Sequence, residues 1–125
     1  MATILYVEDN EDNMFIVHRR LTIAGFEVVV ARNGAEGITM AADVKPDPIV
    51  MDLVLPVLDG LEATRRLKAR PDTKAIPVIA LTSHADAAHR DLAFAAGCDE
   101  FEEKPVNFPA LVAKIQSVIA KRVQP

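Results

Sequence analysis

Short apolar runs alternate along the chain with stretches in which apolar residues recur at helical spacing. The runs are bounded by Gly, Pro, Asn or Asp, and several are rich in Val and Ile, which is typical of strands. They lie at residues 4–7, 26–31, 49–52, 78–81 and, more weakly, 99–103. The pattern therefore predicts five strands separated by helical segments.

The intervening stretches predict five helices with recognisable ends. In the first, Met14, Val17, Leu21 and Ala24 share one face, and Gly25 is expected to end it. The later helices are expected from a cap at Asn33 to about Ala42, from Leu61 to Ala69, from about Ala85 to Ala96, and after a cap at Asn107, with a buried stripe of Leu111, Val112, Ile115, Val118 and Ile119.

Strands that alternate with helices predict a parallel sheet covered on both faces. The first, third and fourth strands are wholly apolar up to their ends, so we expect them to be central. Pro48 is tolerable only at the start of the third. The second and fifth carry acids that suit exposed edges, namely Glu27, Glu100, Glu102 and Glu103. The expected fold is an α/β, flavodoxin-like (βα)5 doubly wound sandwich with strand order 2-1-3-4-5.

Composition narrows the class of protein. With 125 residues, half of them hydrophobic, the chain suits a single domain spanning 1–125. The net charge of −4 argues against nonspecific binding to nucleic acid. The single cysteine, Cys98, excludes an internal disulfide and is expected to be a packed residue. No apolar run is long enough to span a membrane and no signal peptide is recognisable, so we expect a cytoplasmic protein without membrane contact.

Polar residues stand where the predicted strands end. Glu8 and Asp9 follow the first strand, Asp52 ends the third, Thr82 ends the fourth, and Lys104 follows the fifth. The carboxyl ends of parallel strands meet at one edge of a sheet, where ligands bind in this type of fold. We therefore expect three carboxylates, a hydroxyl and an ammonium group to converge there.

Three carboxylates in one place repel each other, and a hard cation relieves that repulsion. Mg²⁺ prefers octahedral oxygen ligands, which Glu8, Asp9, Asp52 and the backbone carbonyl of Val54 can supply. Asp52, at the centre, is the expected nucleophile, since aspartate can form an acyl phosphate. The oxygens of the phosphoryl group would then be held by the cation, Lys104 and Thr82.

Over nearly its whole length the chain resembles the response-regulator receiver domains of two-component signalling. The motifs are VEDN at 7–10, MDLVLPVLDG at 51–60, ALTS at 80–83 and EKP at 103–105. The resemblance implies that Glu8 and Asp9 are the acid pair at the metal and that Asp52 is the phosphoacceptor. It also implies Thr82 as the switch hydroxyl, Phe101 as a rotating aromatic, Lys104 as a phosphoryl contact, and a cis peptide bond between Lys104 and Pro105.

Two positions depart from common choices in that family. Glu8 stands where Asp is frequent, and its extra length suggests contact with the metal through water. Val54 is apolar where a polar residue is common. We hypothesise that Val54 and His84, which follow Asp52 and Thr82 by two residues each, set the lifetime of the acyl phosphate by controlling water access. His18 and His89 are expected to be ordinary surface residues.

The function implied is that of a phosphoacceptor switch, not of an enzyme that turns over a separate substrate. Expected partners are a sensor histidine kinase or a histidine phosphotransfer protein, and a downstream effector protein, with Mg²⁺ or Mn²⁺ as cofactor. The chain ends soon after the last predicted helix, so we expect the signal to leave through protein contact.

Three alternatives remain open at the level of sequence. A pseudo-receiver would act as an interaction module without phosphorylation, although Asp9, Asp52 and Lys104 are all present. A phosphoester hydrolase with an aspartate nucleophile usually has a second acid two residues later, where this chain has Val54. An FMN carrier needs a phosphate-binding loop after the first strand, and the acids there would repel a phosphate.

Overall fold

The computed structural model describes residues 1–84 and 86–122. Its sheet contains five parallel strands in the order β2-β1-β3-β4-β5, which confirms the predicted topology. The strands are Thr3–Val7 (β1), Glu27–Ala31 (β2), Ile49–Asp52 (β3), Val78–Thr82 (β4) and Glu100–Glu103 (β5). Pro48 immediately precedes β3, where its carbonyl accepts a hydrogen bond from the backbone N–H of Leu5 at 3.2 Å.

The helices occur where the sequence predicts them, and their ends either coincide with the predicted ones or differ by at most two residues. They are Glu11–Ile23 (α1), Gly34–Val44 (α2), Gly60–Ala69 (α3), Ala87–Ala96 (α4) and Phe108–Arg122 (α5). The predicted start of the fourth helix, Ala85, lies outside the described residues. Among those that are described, no helix is both long enough and apolar enough to cross a membrane.

Several helices begin at a side chain that caps the first turn. Asn10, Asn33 and Asp59 each accept a hydrogen bond from a backbone N–H three residues later, at 2.8–2.9 Å. Asn107, the predicted cap of α5, accepts one from the N–H of Ala110 at 3.1 Å. These caps fix where α1 and α3 leave the edge of the sheet that holds the predicted site.

The sheet separates two apolar cores. On one face Tyr6 and Ile79 pack among residues of α1 and α5, including Leu21 and Ile115. On the other face Met51 packs among residues of α2, α3 and α4. Both faces are therefore covered, as expected of a doubly wound fold.

Two expectations from the sequence are wrong in detail. Glu102 was expected at an exposed edge but is buried, because Lys114 of α5 covers it and donates a hydrogen bond to its carboxylate at 2.7 Å. Ala24 was placed on one helical face with Val17 and Leu21, which are buried, but it is exposed because the helix ends at Ile23 and the chain turns away through Gly25, whose φ is +102°. Glu27 and Glu103 are exposed, as expected.

Candidate functional site: an acidic cluster at the carboxyl edge of the sheet

The acids that follow β1 and β3 come together at the carboxyl edge of the sheet. Val7 pairs with Met51 in the β1–β3 ladder, so the next residue of each segment, Glu8 and Asp52, are also neighbours. One carboxylate oxygen from each of Glu8, Asp9 and Asp52 lies within 4.8 Å of the other two. Glu8 and Asp52 are buried, whereas Asp9 is exposed at the rim.

Lys104, placed just after β5, bridges the two buried acids. Its Nζ lies 2.8 Å from Oδ2 of Asp52 and 3.1 Å from Oε1 of Glu8. Burial opposes the charged form of Lys104, but the hydrogen bond and charge of Asp52 outweigh that effect and raise the pKa of the ammonium group. The peptide bond between Lys104 and Pro105 is cis.

The two buried carboxyls differ in acidity. Burial and the closeness of Glu8 raise the pKa of Asp52 to about 6, against the opposing hydrogen bonds from Lys104 and from the backbone N–H of Val54. Burial also raises the pKa of Glu8, but hydrogen bonds with Asp52, Lys104 and Tyr6 lower it by more. The pKa of Glu8 is therefore below its ordinary value. Of the two carboxyls, Glu8 is thus the more acidic and Asp52 the more basic.

Glu8 is held by four donors and is only 1% exposed. The Tyr6 hydroxyl and Lys104 donate to its Oε1, at 3.0 and 3.1 Å, while the backbone N–H groups of Asp9 and Asn10 donate to its Oε2, at 3.1 and 3.4 Å. Neither Tyr6 nor these backbone donors was singled out from the sequence. Tyr6 was interpreted only as one apolar residue of the first strand.

The donor set fits a magnesium ion. Three carboxylates supply hard oxygen ligands, and Mg²⁺ commonly binds through one or two carboxylates while keeping several waters. The backbone N–H of Val54 donates to Oδ1 of Asp52 at 3.0 Å, which fixes the backbone of residue 54 beside the cluster. A cation here would also relieve the repulsion that raises the pKa of Asp52.

Thr82, at the end of β4, is buried next to the cluster. Its hydroxyl oxygen accepts a hydrogen bond from the backbone N–H of His84 at 3.1 Å. The ring of His84 stacks on that of His89 with centroids 5.2 Å apart, and His89 is bonded to Asp86. All three histidines of the chain, including His18, are exposed.

Phe101 lies away from the acids, on the opposite core face. Its ring is 5% exposed and packs in the core that α4 covers, with the guanidinium of Arg90 5.4 Å from its centroid. Lys114 of α5 donates to the backbone carbonyl of Phe101 at 2.6 Å. The structure therefore does not bring Phe101 into contact with the cluster; it places it between α4 and α5.

The segment after Asp52 contains two backbone features beyond the turn that its sequence indicates. An ideal Cβ on Gly60 would lie 2.2 Å from the backbone oxygen of Asp52, so a larger residue cannot fit there. Val57 has a φ of +67°, and the N–H of Leu58 donates to the carbonyl of Pro56 at 2.7 Å, which closes a γ-turn. The Asp59-Gly60 pair was a signal for the first feature, whereas a valine gives no signal for the second.

This combination of fold and site defines a class. A doubly wound sheet with paired acids after β1, an aspartate ending β3, a hydroxyl ending β4 and a lysine after β5 is the arrangement of receiver domains. The model of the response regulator receiver domain family matches residues 4–116, and the chain belongs to that family.

Individual relatives agree with this assignment. The chain is 35% identical over 117 residues to the polar-differentiation response regulator DivK of Brucella anthropi, covering 94% of this chain and 95% of the relative. DivK of Brucella ovis is 34% identical over 117 residues, with the same coverage of both chains. These relatives are bacterial proteins of similar length.

Solved structures agree as well. The receiver domain of a sensor histidine kinase from Pseudomonas aeruginosa, described with a magnesium ion coordinated in its active-site cleft, superposes with a TM-score of 0.89 at 34% identity, covering 95% of this chain and 98% of that one. A response regulator from Chloroflexus aurantiacus gives a TM-score of 0.91 at 29% identity over the same shares. Receiver domains are signalling proteins that work with histidine kinases or phosphotransfer proteins and with effectors, and they bind Mg²⁺ in the active site.

Proposed function

We propose that Asp52 of this receiver domain accepts a phosphoryl group from a phosphohistidine, presented in the cytoplasm by a sensor histidine kinase or a histidine phosphotransfer protein. The observation that carries the proposal is the placement of the Asp52 carboxylate between a bridging lysine and two further acids. A carboxylate in that position can be neutralised from both sides when it gains a doubly charged group.

In the transfer step, an oxygen of Asp52 attacks phosphorus in line with the breaking bond. The P–N bond to imidazole breaks, an acyl phosphate O–P bond forms, and the imidazole leaves with a proton from solvent. Lys104, which donates to the free Asp52 carboxylate, then donates to one phosphoryl oxygen. The Thr82 hydroxyl, which accepts from the N–H of His84, turns to donate to a second phosphoryl oxygen.

Mg²⁺ supplies charge neutralisation to the developing phosphoryl oxygens. We assign its ligands to Asp9, Asp52 and the backbone carbonyl of Val54, with Glu8 acting directly or through water. Mn²⁺, which also accepts carboxylate and carbonyl oxygens, is expected to substitute. The support for this set is the mutual closeness of the three carboxylates.

The signal would leave through a change of surface at α4, β5 and α5. When Thr82 moves toward the phosphoryl group it vacates space on the α4 side of the sheet, and Phe101 turns into that space. Lys114, which binds the backbone of Phe101 and the carboxylate of Glu102, links that movement to α5. The altered face would then be read by an effector protein, with residues 1–125 acting as one domain.

Two residues at the rim are proposed to set the lifetime of the acyl phosphate. Val54 is 64% exposed and lies beside Asp52, while His84 is exposed beside Thr82. Their side chains flank the route by which water reaches the phosphoryl group. An apolar Val54 offers no hydrogen bond to align an attacking water.

The test is incubation with acetyl phosphate and Mg²⁺, followed by intact-mass measurement. Wild type should gain one phosphoryl group, and the gain should disappear with excess chelator or with Asp52→Ala. A wild-type mass that never changes, with the protein shown to be folded, would support the pseudo-receiver alternative.

A further inference from the structure

Tyr6 is fully buried in β1 and points its hydroxyl along the strand toward the acidic cluster. Alternate residues of a strand share a face, so Tyr6 and Glu8 lie on the same side of the sheet, roughly 7 Å apart along β1. A phenol is long enough to cover that distance, and it ends in a donor. The Tyr6 hydroxyl accordingly donates to Oε1 of Glu8 at 3.0 Å.

This hydrogen bond is placed where it affects two site residues. Oε1 of Glu8 accepts from both Tyr6 and Lys104, and Lys104 in turn donates to Asp52. The phenol therefore fixes the carboxylate orientation that positions the lysine. A leucine or phenylalanine at position 6 would fill the same core space among Val17 and Leu111 without supplying a donor.

The length of Glu8 is matched to this donor. An aspartate at position 8 is one methylene shorter, so its carboxylate would be drawn back from the Tyr6 hydroxyl. With glutamate, one oxygen reaches Tyr6 and Lys104 while the other receives the N–H groups of Asp9 and Asn10. The Tyr6 hydroxyl therefore needs an acceptor as long as glutamate at position 8, and Glu8 needs a donor at position 6.

We propose that Tyr6 is a positioning residue for the metal site, which orients the Glu8 carboxylate and through it Lys104. The inference rests on the proposed function, since it concerns the same site. Tyr6 has no contact with the phosphoryl group in this account. Its effect is on how well the acids are arranged before the cation arrives.

The chain offers a direct spectroscopic signal for this arrangement. Tyr6 is its only tyrosine, and it has no tryptophan. A hydrogen bond from a tyrosine hydroxyl to a carboxylate quenches tyrosine emission, so the emission is sensitive to the Tyr6–Glu8 contact. Binding of Mg²⁺, which draws on the charge of Glu8, should change that emission with the same midpoint that calorimetry gives.

The decisive experiment is a double-mutant cycle on Mg²⁺ affinity, measured by calorimetry on wild type, Tyr6→Phe, Glu8→Asp and the double variant. Tyr6→Phe should raise the Kd for Mg²⁺ about tenfold in the wild-type background. In the Glu8→Asp background, where the contact is already lost, the same change should alter the Kd less than about twofold. An unchanged Kd in Tyr6→Phe, or an equal effect in both backgrounds, would overturn the proposal.

Thr73→Val is the matched control for loss of a buried hydroxyl. The Thr73 hydroxyl donates to the carbonyl of Leu67 at 2.7 Å, in the segment before β4 and away from the acids. This variant should lose stability by a similar amount to Tyr6→Phe but keep the wild-type Kd for Mg²⁺. A tenfold change in its Kd as well would reduce the role of Tyr6 to general stability. Phosphorylation of wild-type Asp52, followed in parallel by intact mass, shows separately whether the proposed function stands.

Discussion

The ammonium group of Lys104 lies 2.8 Å from Oδ2 of Asp52, although the two residues are 52 positions apart in the chain. The lysine also binds Glu8, so one cation compensates two buried carboxylates. This single side chain offsets the electrostatic cost of the cluster before any metal binds.

Replacing Lys104 should therefore destabilise the metal-free protein. Lys104→Met leaves Glu8 and Asp52 without their common partner, and removal of one member of a buried ion pair typically costs about 3 kcal/mol or more. Urea unfolding in excess chelator measures the loss, and saturating Mg²⁺ should restore part of it. The exposed Lys121 provides the control, since Lys121→Met should change little. A stability of Lys104→Met equal to wild type would contradict this account of the cluster.

The raised pKa of Asp52 predicts a pH-dependent difference between wild type and Asp52→Asn. The folded-state pKa of about 6 exceeds the ordinary 3.8, so Asp52 favours folding only while protonated. That contribution is present at about pH 4 and is lost as the pH rises through 6. Between about pH 4 and pH 6, the free energy of unfolding of Asp52→Asn should therefore rise by about 2 kcal/mol relative to that of wild type. Above that range the difference should level off.

The measurement is chemical unfolding without metal at several pH values, with the exposed Asp43→Asn as the matched control. A difference that stays constant from pH 4 to pH 8 is the result that this interpretation does not allow.

Gly60 should not tolerate even a methyl group. The new Cβ would meet the Asp52 backbone oxygen at 2.2 Å and the Leu53 Cα at 2.7 Å, both of which belong to the backbone. We expect Gly60→Ala to cost about 3 kcal/mol in thermal or urea unfolding and to weaken Mg²⁺ binding. Gly37→Ala is the control, since its Cβ would meet no backbone atom and only the side chain of Val7, with the nearest methyl at 3.0 Å. If both variants are equally stable, the close approach of α3 to Asp52 is not required.

Val54→Asn should shorten the lifetime of the acyl phosphate severalfold, because an amide beside Asp52 can align a water for attack. The decay of the phosphorylated form is followed by intact mass after the phosphodonor is removed. Val54→Leu, which keeps an apolar side chain, should decay at the wild-type rate. An unchanged decay in Val54→Asn would count against control of water access at this position.

The strand order and the cluster of acids followed from the sequence because they depend on periodicity. Apolar runs identify the strands, charged residues identify the edges, and parallel strands must end at one rim. Asp52 and Lys104 therefore meet for topological reasons that need no knowledge of side-chain packing. The caps at Asn33 and Asn107 follow local rules that act within four residues.

Other features depend on packing that no local pattern records. Glu102 looks like an edge residue until Lys114 of α5 covers it. Tyr6 counts as one more apolar position until the sheet orients its hydroxyl toward Glu8. The left-handed conformation of Val57 opposes the preference of a β-branched residue, so only the closure of the loop around Asp52 explains it.

Chemical trapping of the phosphorylated residue shows whether Asp52 is the phosphoacceptor. Borohydride reduces an acyl phosphate to an alcohol with release of phosphate, which converts a phosphorylated aspartate to homoserine. After treatment with acetyl phosphate and Mg²⁺, we expect homoserine at position 52, and we expect it only when the metal is present. A phosphoryl group that survives borohydride at Thr82, Ser83 or a histidine, or no homoserine from the folded protein, would show that Asp52 is not the acceptor.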